Sequence, residues 1–257
     1  MEREIKEHTF MTRKRLFSQD TSAIQKYQEL VVGQKGLFKL FKYEFIFLLS
    51  SWIPGALGLF LRSKLYPLLL GRVGKGVIFG RNVVLRYPHK IFLGNNVIID
   101  DNCLIDAKGR DNHGVVIGDN VFVGRNTILL CTDGDIFIED NVSIGFNSEV
   151  MSANYVKLGK NVLISSYCFL NAATHDFQRT DIAVSQQASI GRKIVLEENV
   201  WLAANVTVLD GITVGKDAIV GAGAVVTKDL PPLSIAVGMP AKVIRSRKSE
   251  GDEIEAI

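Results

Sequence analysis

An aliphatic residue returns at every sixth position over the C-terminal part of this chain. A six-residue period matches neither the 3.6-residue period of an α-helix nor the alternation of a single strand. It is typical of a chain that turns a corner every six residues and stacks each coil on the last. The sequence therefore predicts an all-β solenoid, a parallel β-helix with three sides of six residues in each coil. The inward-pointing members are predicted to be Leu196, Leu202, Val208, Val214, Val220 and Val226.

The same period continues upstream in blocks that are separated by slips of phase. The tetrads LGNN, IGDN, IEDN, LGKN and LEEN open successive blocks, and Asn and Gly tolerate the left-handed backbone that tight corners need. The largest interruption is the polar stretch at residues 176–193. Loops that leave a rigid scaffold often carry function. The upstream inward positions are predicted to be Leu93, Ile99, Ile105, Ile117, Val123, Leu129, Ile138, Ile144, Val150, Leu158, Ile164 and Leu170.

Composition divides the chain into four segments. Residues 1–36 are polar and are expected to be helical or loosely ordered. Residues 37–72 are apolar and are expected to be helical. Residues 73–230 carry the repeat, and residues 231–257 read as a strand and turn that cap the solenoid, followed by a mobile acidic tail.

The apolar segment contains an uncharged run of 17 residues at positions 45–61, interrupted by Pro54 and Gly55. A membrane-spanning helix needs about 20 apolar residues, and this run carries a helix breaker. Three interpretations stay open. In the first, the segment is a helix pair that is bent at residues 51–54 and lies in the plane of the membrane or re-enters it. In the second, it packs on the β-helix or in an oligomer interface. In the third, it spans the bilayer. The first is favoured, which predicts a membrane-associating extension.

Charge and cysteine content exclude several classes of protein. The net charge of +3, from 30 Lys and Arg against 27 Asp and Glu, is too small to indicate nucleic-acid binding. The N-terminus lacks the apolar run and cleavage site of a signal peptide, so we expect a cytoplasmic protein. The three cysteines form no CxxC pair and are predicted to be buried small hydrophobic residues: Cys103, Cys131 and Cys168.

The closing part of the repeat carries three motifs: NVW at residues 199–201, VTKD at 226–229 and PAKVIR at 240–245. With these motifs the chain resembles the hexapeptide-repeat acyltransferases over most of residues 75–246. More narrowly, it resembles the group with the maltose, galactoside and xenobiotic O-acetyltransferases and many polysaccharide O-acetyltransferases. The resemblance implies a left-handed β-helix, a homotrimer with active sites between adjacent subunits, and acetyl-CoA as the cosubstrate.

The resemblance also implies positions for the acetyl-CoA site. Trp201 is expected to lie near the thioester. The backbone of two alanines is expected to bond to the pantetheine arm. Hydroxyl and cationic side chains are expected to contact the phosphates and the adenine. Ala203 departs from the family, which usually has Gly there, and this leaves the length of the acyl chain open. The expected cosubstrate-binding residues are Trp201, Ala204, Ala222, Thr227, Lys228, Lys242 and Arg245.

His175 is the candidate catalytic base. It closes LNAATHD, at the end of a coil and the start of the polar loop, and the family's catalytic histidine falls in the matching motif. Moving an acetyl group to an alcohol needs a base that takes the hydroxyl proton, which suits a histidine. Asp176, Asp181 or an acid of the next subunit is expected to orient the ring.

The other histidines are His8, His89 and His113, and all three are expected to be structural or solvated. None is near His175 in sequence, whereas the β-helix carbonic anhydrases use three histidines. No metal is therefore expected.

These observations favour an acetyl-CoA-dependent O-acetyltransferase that modifies a sugar. Because of the apolar segment, the expected acceptor is lipid-linked or membrane-proximal, at the inner face of the cytoplasmic membrane. Two main alternatives stay open: N-acetylation of an amino sugar, and a noncatalytic β-helix scaffold in polysaccharide assembly. A third alternative is transfer of a longer acyl chain from an acyl carrier protein.

Overall fold

The computed structural model describes residues 6–8 and 22–247. Between residues 72 and 237 the chain forms a three-sided parallel β-solenoid of about eight turns. This confirms the predicted solenoid. The predictions that His8 is solvated and that residues 249–257 form a mobile tail lie outside the residues or side chains that the structure describes.

Each coil contributes one short strand to each of three parallel faces. The strands of the first face are Arg72–Val73, Ile91–Leu93, Val115–Ile117, Asp135–Ile138, Tyr155–Leu158, Ile194–Leu196 and Thr213–Val214. Those of the second face are Ile78–Phe79, Ile98–Ile99, Phe122–Val123, Ser143–Ile144, Leu163–Ile164, Trp201–Leu202, Ile219–Val220 and Ser234–Val237. Those of the third face are Val84–Arg86, Leu104–Asp106, Ile128–Cys131, Glu149–Ser152, Phe169–His175, Thr207–Val208 and Val225–Val226.

The core is a column of aliphatic side chains inside the prism. All 18 positions predicted from the six-residue period are buried, with exposures of 2% or less. The three cysteines are also buried and free, as predicted. Burial raises the pKa of all three thiols, that of Cys103 to about 11.

Asparagines form the tight corners. The last Asn of each predicted tetrad has a positive φ of 54–60°, in the left-handed region. Several of these asparagines also bond to the equivalent residue one coil away. The Asn96 amide donates to Asn120 at 3.1 Å, Asn120 to Asn141 at 3.2 Å and Asn141 to Asn161 at 3.2 Å. The corner residues therefore fix both the bend of each coil and its register with the next.

A helical region precedes the solenoid. It contains helix α1 (Ala23–Tyr27), a π-helical turn (Gln28–Val32), helix α2 (Leu37–Ser50) and helix α3 (Gly55–Leu65). The break between α2 and α3 lies at residues 51–54, where the sequence predicts the bend. In residues 6–8 and 22–247, no helix combines the length and the apolar character needed to cross a membrane.

The hairpin of α2 and α3 packs on the first coil of the prism. Tyr43 donates its hydroxyl to the carbonyl of Leu85 at 2.9 Å. Arg62 is only 2% exposed and binds three carbonyl oxygens, those of Ser50, Ile53 and Phe79, at 2.8–3.0 Å. A single guanidinium therefore ties both helices to the solenoid.

The two ends of the chain form antiparallel pairs on the prism. Lys242–Ser246 pairs with Ser234–Val237 and closes the second face. Near the N-terminus, Lys6–His8 pairs with a strand at Ser189–Gly191. The strand at Lys6–His8 differs from the helical or loose structure expected there, because a partner far away in sequence supplies the backbone hydrogen bonds, whereas residues 23–32 are helical as expected.

Replacing Arg62 by Met should loosen the helical hairpin. The change leaves three carbonyl oxygens without their donor, which is expected to cost about 3 kcal/mol locally. Since each repeat contacts only its neighbours, hydrogen exchange should rise in residues 37–65 and the first coil but not in the central coils. The exposed neighbour gives the control, Arg81→Met. Unchanged protection of residues 55–65 in the Arg62 variant would show that the guanidinium does not anchor them.

Candidate functional site

His175 lies at the end of an unusually long strand. Phe169–His175 has seven residues and runs past its coil to the edge where the chain passes from the third face to the first, here called the third–first edge. There it pairs antiparallel with Ser189–Gly191, with Ser189 directly opposite His175. The imidazole is exposed on this hairpin. The fold thus places the ring outside the prism, beside the polar loop, as predicted.

The hairpin rests closely on the coil below. The side-chain amide of Asn154 donates to the carbonyl of Gly191 at 3.1 Å. A Cβ at Gly191 would lie 2.5 Å from the carbonyl oxygen of Ala153, so only glycine fits this approach. The position of the His175 hairpin is therefore set by backbone contact with the solenoid.

One buried glutamine organises the loop at residues 176–193. The Gln187 side chain accepts from the backbone N–H of Arg179 at 3.1 Å and donates to the carbonyl of Arg179 at 2.8 Å. The backbone N–H of Asp176 donates to the carbonyl of Ala188 at 2.8 Å and closes the base of the loop. Sequence reasoning missed Gln187 because its role depends on partners eight residues away.

The two acids expected to orient His175 both have contacts within the loop. The Asp176 carboxylate accepts from the backbone N–H of Gln178 at 3.0 Å. The Asp181 carboxylate binds the guanidinium of Arg179, and this contact holds the pKa of Asp181 below its usual range. The orienting role of either acid stays a prediction.

Trp201 and Arg245 lie in one column of the second face. Trp201 pairs with Ile219, Ile219 with Ile235 and Ile235 with Arg245, so the two predicted residues are three strand spacings apart, about 14 Å. Trp201 is 42% exposed, and its indole N–H donates to the Ser165 hydroxyl at 3.3 Å. Lys242 opens the same terminal strand and is exposed.

Ala204 and Ala222 stack on adjacent coils at the edge between the second and third faces. The backbone N–H of Gly223 donates to the carbonyl of Ala204 at 2.9 Å. Both alanines are exposed. Ala203, where the family usually has Gly, keeps its ladder bond from its N–H to the carbonyl of Val220 at 2.9 Å. The departure therefore leaves the coil regular.

Thr227 and Lys228 are exposed but lie elsewhere, at the third–first edge. Within one chain, the predicted residues thus form two groups. His175, Thr227 and Lys228 lie along the third–first edge. Trp201, Ala204, Ala222, Lys242 and Arg245 lie on the second face and its edge with the third. The width of the third face separates the two groups.

Two cavities of about 450 and 480 Å³ lie beside the N-terminal helical turn, and neither is lined by His175 or Trp201. The other two histidines with described side chains are also on the third–first edge. His113 is exposed and contacts the ring of Phe137, and His89 is half-buried. Among the residues that the structure describes, no three metal-ligating side chains come together.

Two family models match the repeat region. "Hexapeptide repeat of succinyl-transferase" matches residues 136–171, and "Bacterial transferase hexapeptide (six repeats)" matches residues 193–228. His175 and most of the loop that follows it lie between the two matched segments. The models therefore identify the coils on either side of the loop and leave the loop itself unassigned.

Curated relatives of this chain include O-acetyltransferases whose names state an activity on sugars. The chain is 34% identical to the galactoside O-acetyltransferase of Lactococcus lactis over 57% of this chain and 61% of that protein. It is 30% identical to the putative lipopolysaccharide biosynthesis O-acetyl transferase WbbJ of Escherichia coli, over 63% of this chain and 84% of that protein. The chain spans 50–65% of the length of several curated relatives. The activities of those full-length proteins are therefore only proposals for this chain.

A solved structure shows the same architecture. AntD, an N-acyltransferase from Bacillus cereus in complex with dTDP and 3-hydroxybutyryl-CoA, matches with a TM-score of 0.53 at 22% identity, over 77% of this chain and 91% of AntD. A likeness at this level of identity shows the fold alone. That fold is the left-handed parallel β-helix, as expected.

Proposed function

We propose, proceeding from the fact that this chain belongs to the hexapeptide-repeat acyltransferase family, that it transfers an acetyl group from acetyl-CoA to a hydroxyl group of a sugar. The observation that carries the proposal is the position of His175. A strand that overruns its coil holds this imidazole outside the prism, at the mouth of a polar loop. The similarity to the galactoside and lipopolysaccharide O-acetyltransferases supports a sugar as the acceptor.

His175 acts as the general base. Its imidazole accepts the proton of the acceptor hydroxyl while the hydroxyl oxygen forms a bond to the acetyl carbon. The carbon–sulfur bond then breaks, and the imidazolium returns the proton to the departing thiolate. No covalent enzyme intermediate is needed, and the three cysteines are sealed inside the prism with raised pKa values.

The second face fits acetyl-CoA, which supplies the acetyl group as a thioester when bound. Ala204 and Ala222 present an exposed, small-residue edge where a pantetheine arm has access to backbone groups. Since the Ala204 carbonyl already binds Gly223, its N–H is the group left for the arm. Arg245 and Lys242 lie farther along the same face and supply positive charge for phosphates.

The two groups of site residues support a trimer with active sites between subunits. One chain offers His175 on the third–first edge and the acetyl-CoA residues on the second face, with the third face between them. A threefold axis parallel to the prism brings the edge of one subunit to the second face of the next. The second face also carries exposed apolar side chains that suit such a contact: Ile78, Ile98, Leu163 and Trp201.

The helical hairpin supports contact with a membrane. The stripe of α2 that faces the solenoid contains Tyr43, Ile46 and Ser50, and the opposite side is apolar and exposed. Phe38 is 76% exposed, for example. The exposed apolar residues of the hairpin are Leu37, Phe38, Phe41, Phe45, Leu48, Leu49, Trp52, Leu57, Leu59 and Phe60.

A bilayer surface is the occupant that we propose for this apolar face. The patch lies at one end of the prism, and cationic side chains accompany it at Lys39 and Lys64. Apolar side chains that enter the acyl boundary and lysines that meet anionic headgroups are the features of an interfacial helix. Membrane contact at this end points to a lipid-linked or membrane-proximal acceptor in polysaccharide biosynthesis, at the inner face of the cytoplasmic membrane.

Replacing His175 by Ala should lower transfer about 10²–10⁴-fold, because the hydroxyl proton then has no acceptor. Transfer is measured as radiolabelled acetyl incorporated into a glycolipid extract. Binding of acetyl-CoA, followed by calorimetry, should stay the same. The matched control is His113→Ala, on the same edge of the prism. Transfer within twofold of the unchanged protein would rule out the base role of His175.

Mixed trimers should recover activity that two inactive variants lack. His175→Ala removes the base, and Ala222→Tyr blocks the pantetheine edge. When the two are coexpressed and mixed trimers are purified through two different tags, each trimer should contain one intact site, formed by His175 of one subunit and the second face of another. Mixed trimers without activity would place each site within a single chain.

Placing charge on the apolar hairpin should abolish membrane binding. The double variant Phe41→Glu with Leu48→Glu puts two carboxylates on the exposed side of α2, away from the packed stripe. Flotation with vesicles of phosphatidylglycerol and phosphatidylethanolamine should show at least tenfold weaker binding. Phe177→Glu, on the loop near His175, serves as the control. Equal flotation of all three proteins, or a change of oligomeric state in place of lost flotation, would contradict the membrane proposal.

A further inference from the structure

A basic cavity lies on the same edge of the prism as His175. It has a volume of about 450 Å³ and is enclosed by the N-terminal helical turn and the corners of the early coils. The cavity is separate from both groups of site residues described above. Its walls include Glu29, Lys35, Tyr87, His89, Lys108 and Arg110.

Besides Lys90, three cationic side chains line the cavity: Lys35, Lys108 and Arg110. Within residues 22–247, no ion pair or side-chain hydrogen bond engages Lys35, Lys108 or Arg110. Two carboxylates also line the cavity, those of Glu29 and Asp133. Asp133 already accepts the backbone N–H of Arg110 at 2.9 Å. The balance of charge in the cavity is therefore positive and favours an anion.

The loop that carries Lys108 and Arg110 is held by a buried polar network. The Lys90 ammonium donates to the carbonyls of Gly109 and Arg110 and to the side chain of Asn112, at 2.8–3.0 Å. Asn112 is buried and donates to the carbonyl of Gly134 at 2.8 Å. All three N–H donors of the Lys90 ammonium are used in these bonds, so this lysine stabilises the loop. The side chains of Lys108 and Arg110 are available to bind a ligand.

The opposite wall is fixed by Tyr87. Its backbone has a positive φ of 52°, its N–H donates to the carbonyl of Val31 at 2.8 Å, and its hydroxyl donates to the carbonyl of Glu29. A Cβ at Gly33 would lie 2.3 Å from the Tyr87 ring, so a glycine is required there. The left-handed backbone of Tyr87 and the requirement for glycine at position 33 show that the conformation of this wall is closely defined by its contacts.

His89 also contributes to the wall of the cavity. Its Nδ1 is buried and has no hydrogen-bond partner among the described residues. Burial, with Lys90 and Lys39 nearby, lowers the pKa of His89, so the ring is neutral at pH 7. A buried polar atom without a partner is rare and costs stability, so the position of His89 is maintained by the packing around it.

We propose that this cavity binds the phosphate or diphosphate group of the acceptor. The proposal rests on the proposed function and names the part of the substrate that anchors it. The corner of Lys108 and Arg110 lies three strand spacings from the His175 strand on the third face, about 14 Å. A single sugar ring is shorter than this separation. The acetylated sugar is therefore not the one that carries the phosphate but one farther along the glycan.

The direction of the edge agrees with this assignment. The cavity lies near the helical hairpin, and His175 lies farther up the prism. A lipid whose chain enters the bilayer beneath the apolar hairpin thus meets first the basic cavity and then the imidazole. The order of lipid, phosphate and sugar in such an acceptor matches the order of surfaces along the protein.

The test uses the full-length protein saturated with CoA, so that the phosphate sites for the cosubstrate are already filled. Inorganic pyrophosphate is titrated by calorimetry into the unchanged protein and into the double variant Lys108→Ala with Arg110→Ala. The variant should bind pyrophosphate at least tenfold more weakly, because two cationic contacts are lost. The control, Lys75→Ala with Arg81→Ala, removes equal charge from other corners of the early coils and should bind as the unchanged protein does.

A second arm identifies the source of the phosphate. Farnesyl diphosphate in vesicles of phosphatidylethanolamine should bind more tightly than free pyrophosphate, and the Lys108 and Arg110 variant should lose this binding. Equal pyrophosphate binding by both double variants, or farnesyl diphosphate that binds no better than pyrophosphate, would overturn the proposal. The His175→Ala protein should bind both probes normally, so failure here and failure of the proposed function are distinguishable.

Discussion

The left-handed backbone at the corners is the constraint on which the rest of this molecule depends. At the corners between the first and second faces and between the second and third faces, every coil has a residue with a positive φ, and asparagine takes this conformation at ten of these positions. The same side chains bond from coil to coil and keep neighbouring corners in line. Straight edges follow from aligned corners. Side chains far apart in sequence are therefore brought to regular heights along one edge.

Those edges explain how a scaffold with such short strands builds a site. His175, Thr227 and the basic cavity share the third–first edge, although they come from different coils. The surface that we propose for acetyl-CoA lies on the other side of the third face. In the proposed mechanism, neither group of residues forms a complete site within one chain, so the trimer is needed for catalysis. The two apolar surfaces then have different partners. The second face contacts a neighbouring subunit, and the helical hairpin contacts the membrane.

The six-residue period and the Asn tetrads were enough to predict the solenoid and all 18 inward positions, because each is a local, repeated requirement of one coil. The position of His175 outside the prism was predictable because this residue ends a coil before a polar loop. The pairing of Lys6–His8 with Ser189–Gly191 was not predictable from any local sequence pattern, since it joins segments that are far apart in the chain. Gln187 and the basic cavity were missed for the same reason. Their partners come from separate corners, and periodicity carries no information about contacts between corners.

The sealed thiols have a consequence for how opening of the prism is observed. Cys103, Cys131 and Cys168 lie at three different heights in the interior, each buried and free. A reagent that reacts with thiolates reaches each of them only when its own stretch of wall separates. The chain thus contains three natural reporters along its long axis. Their relative labelling rates give the order in which the second, third and fifth coils of the prism open.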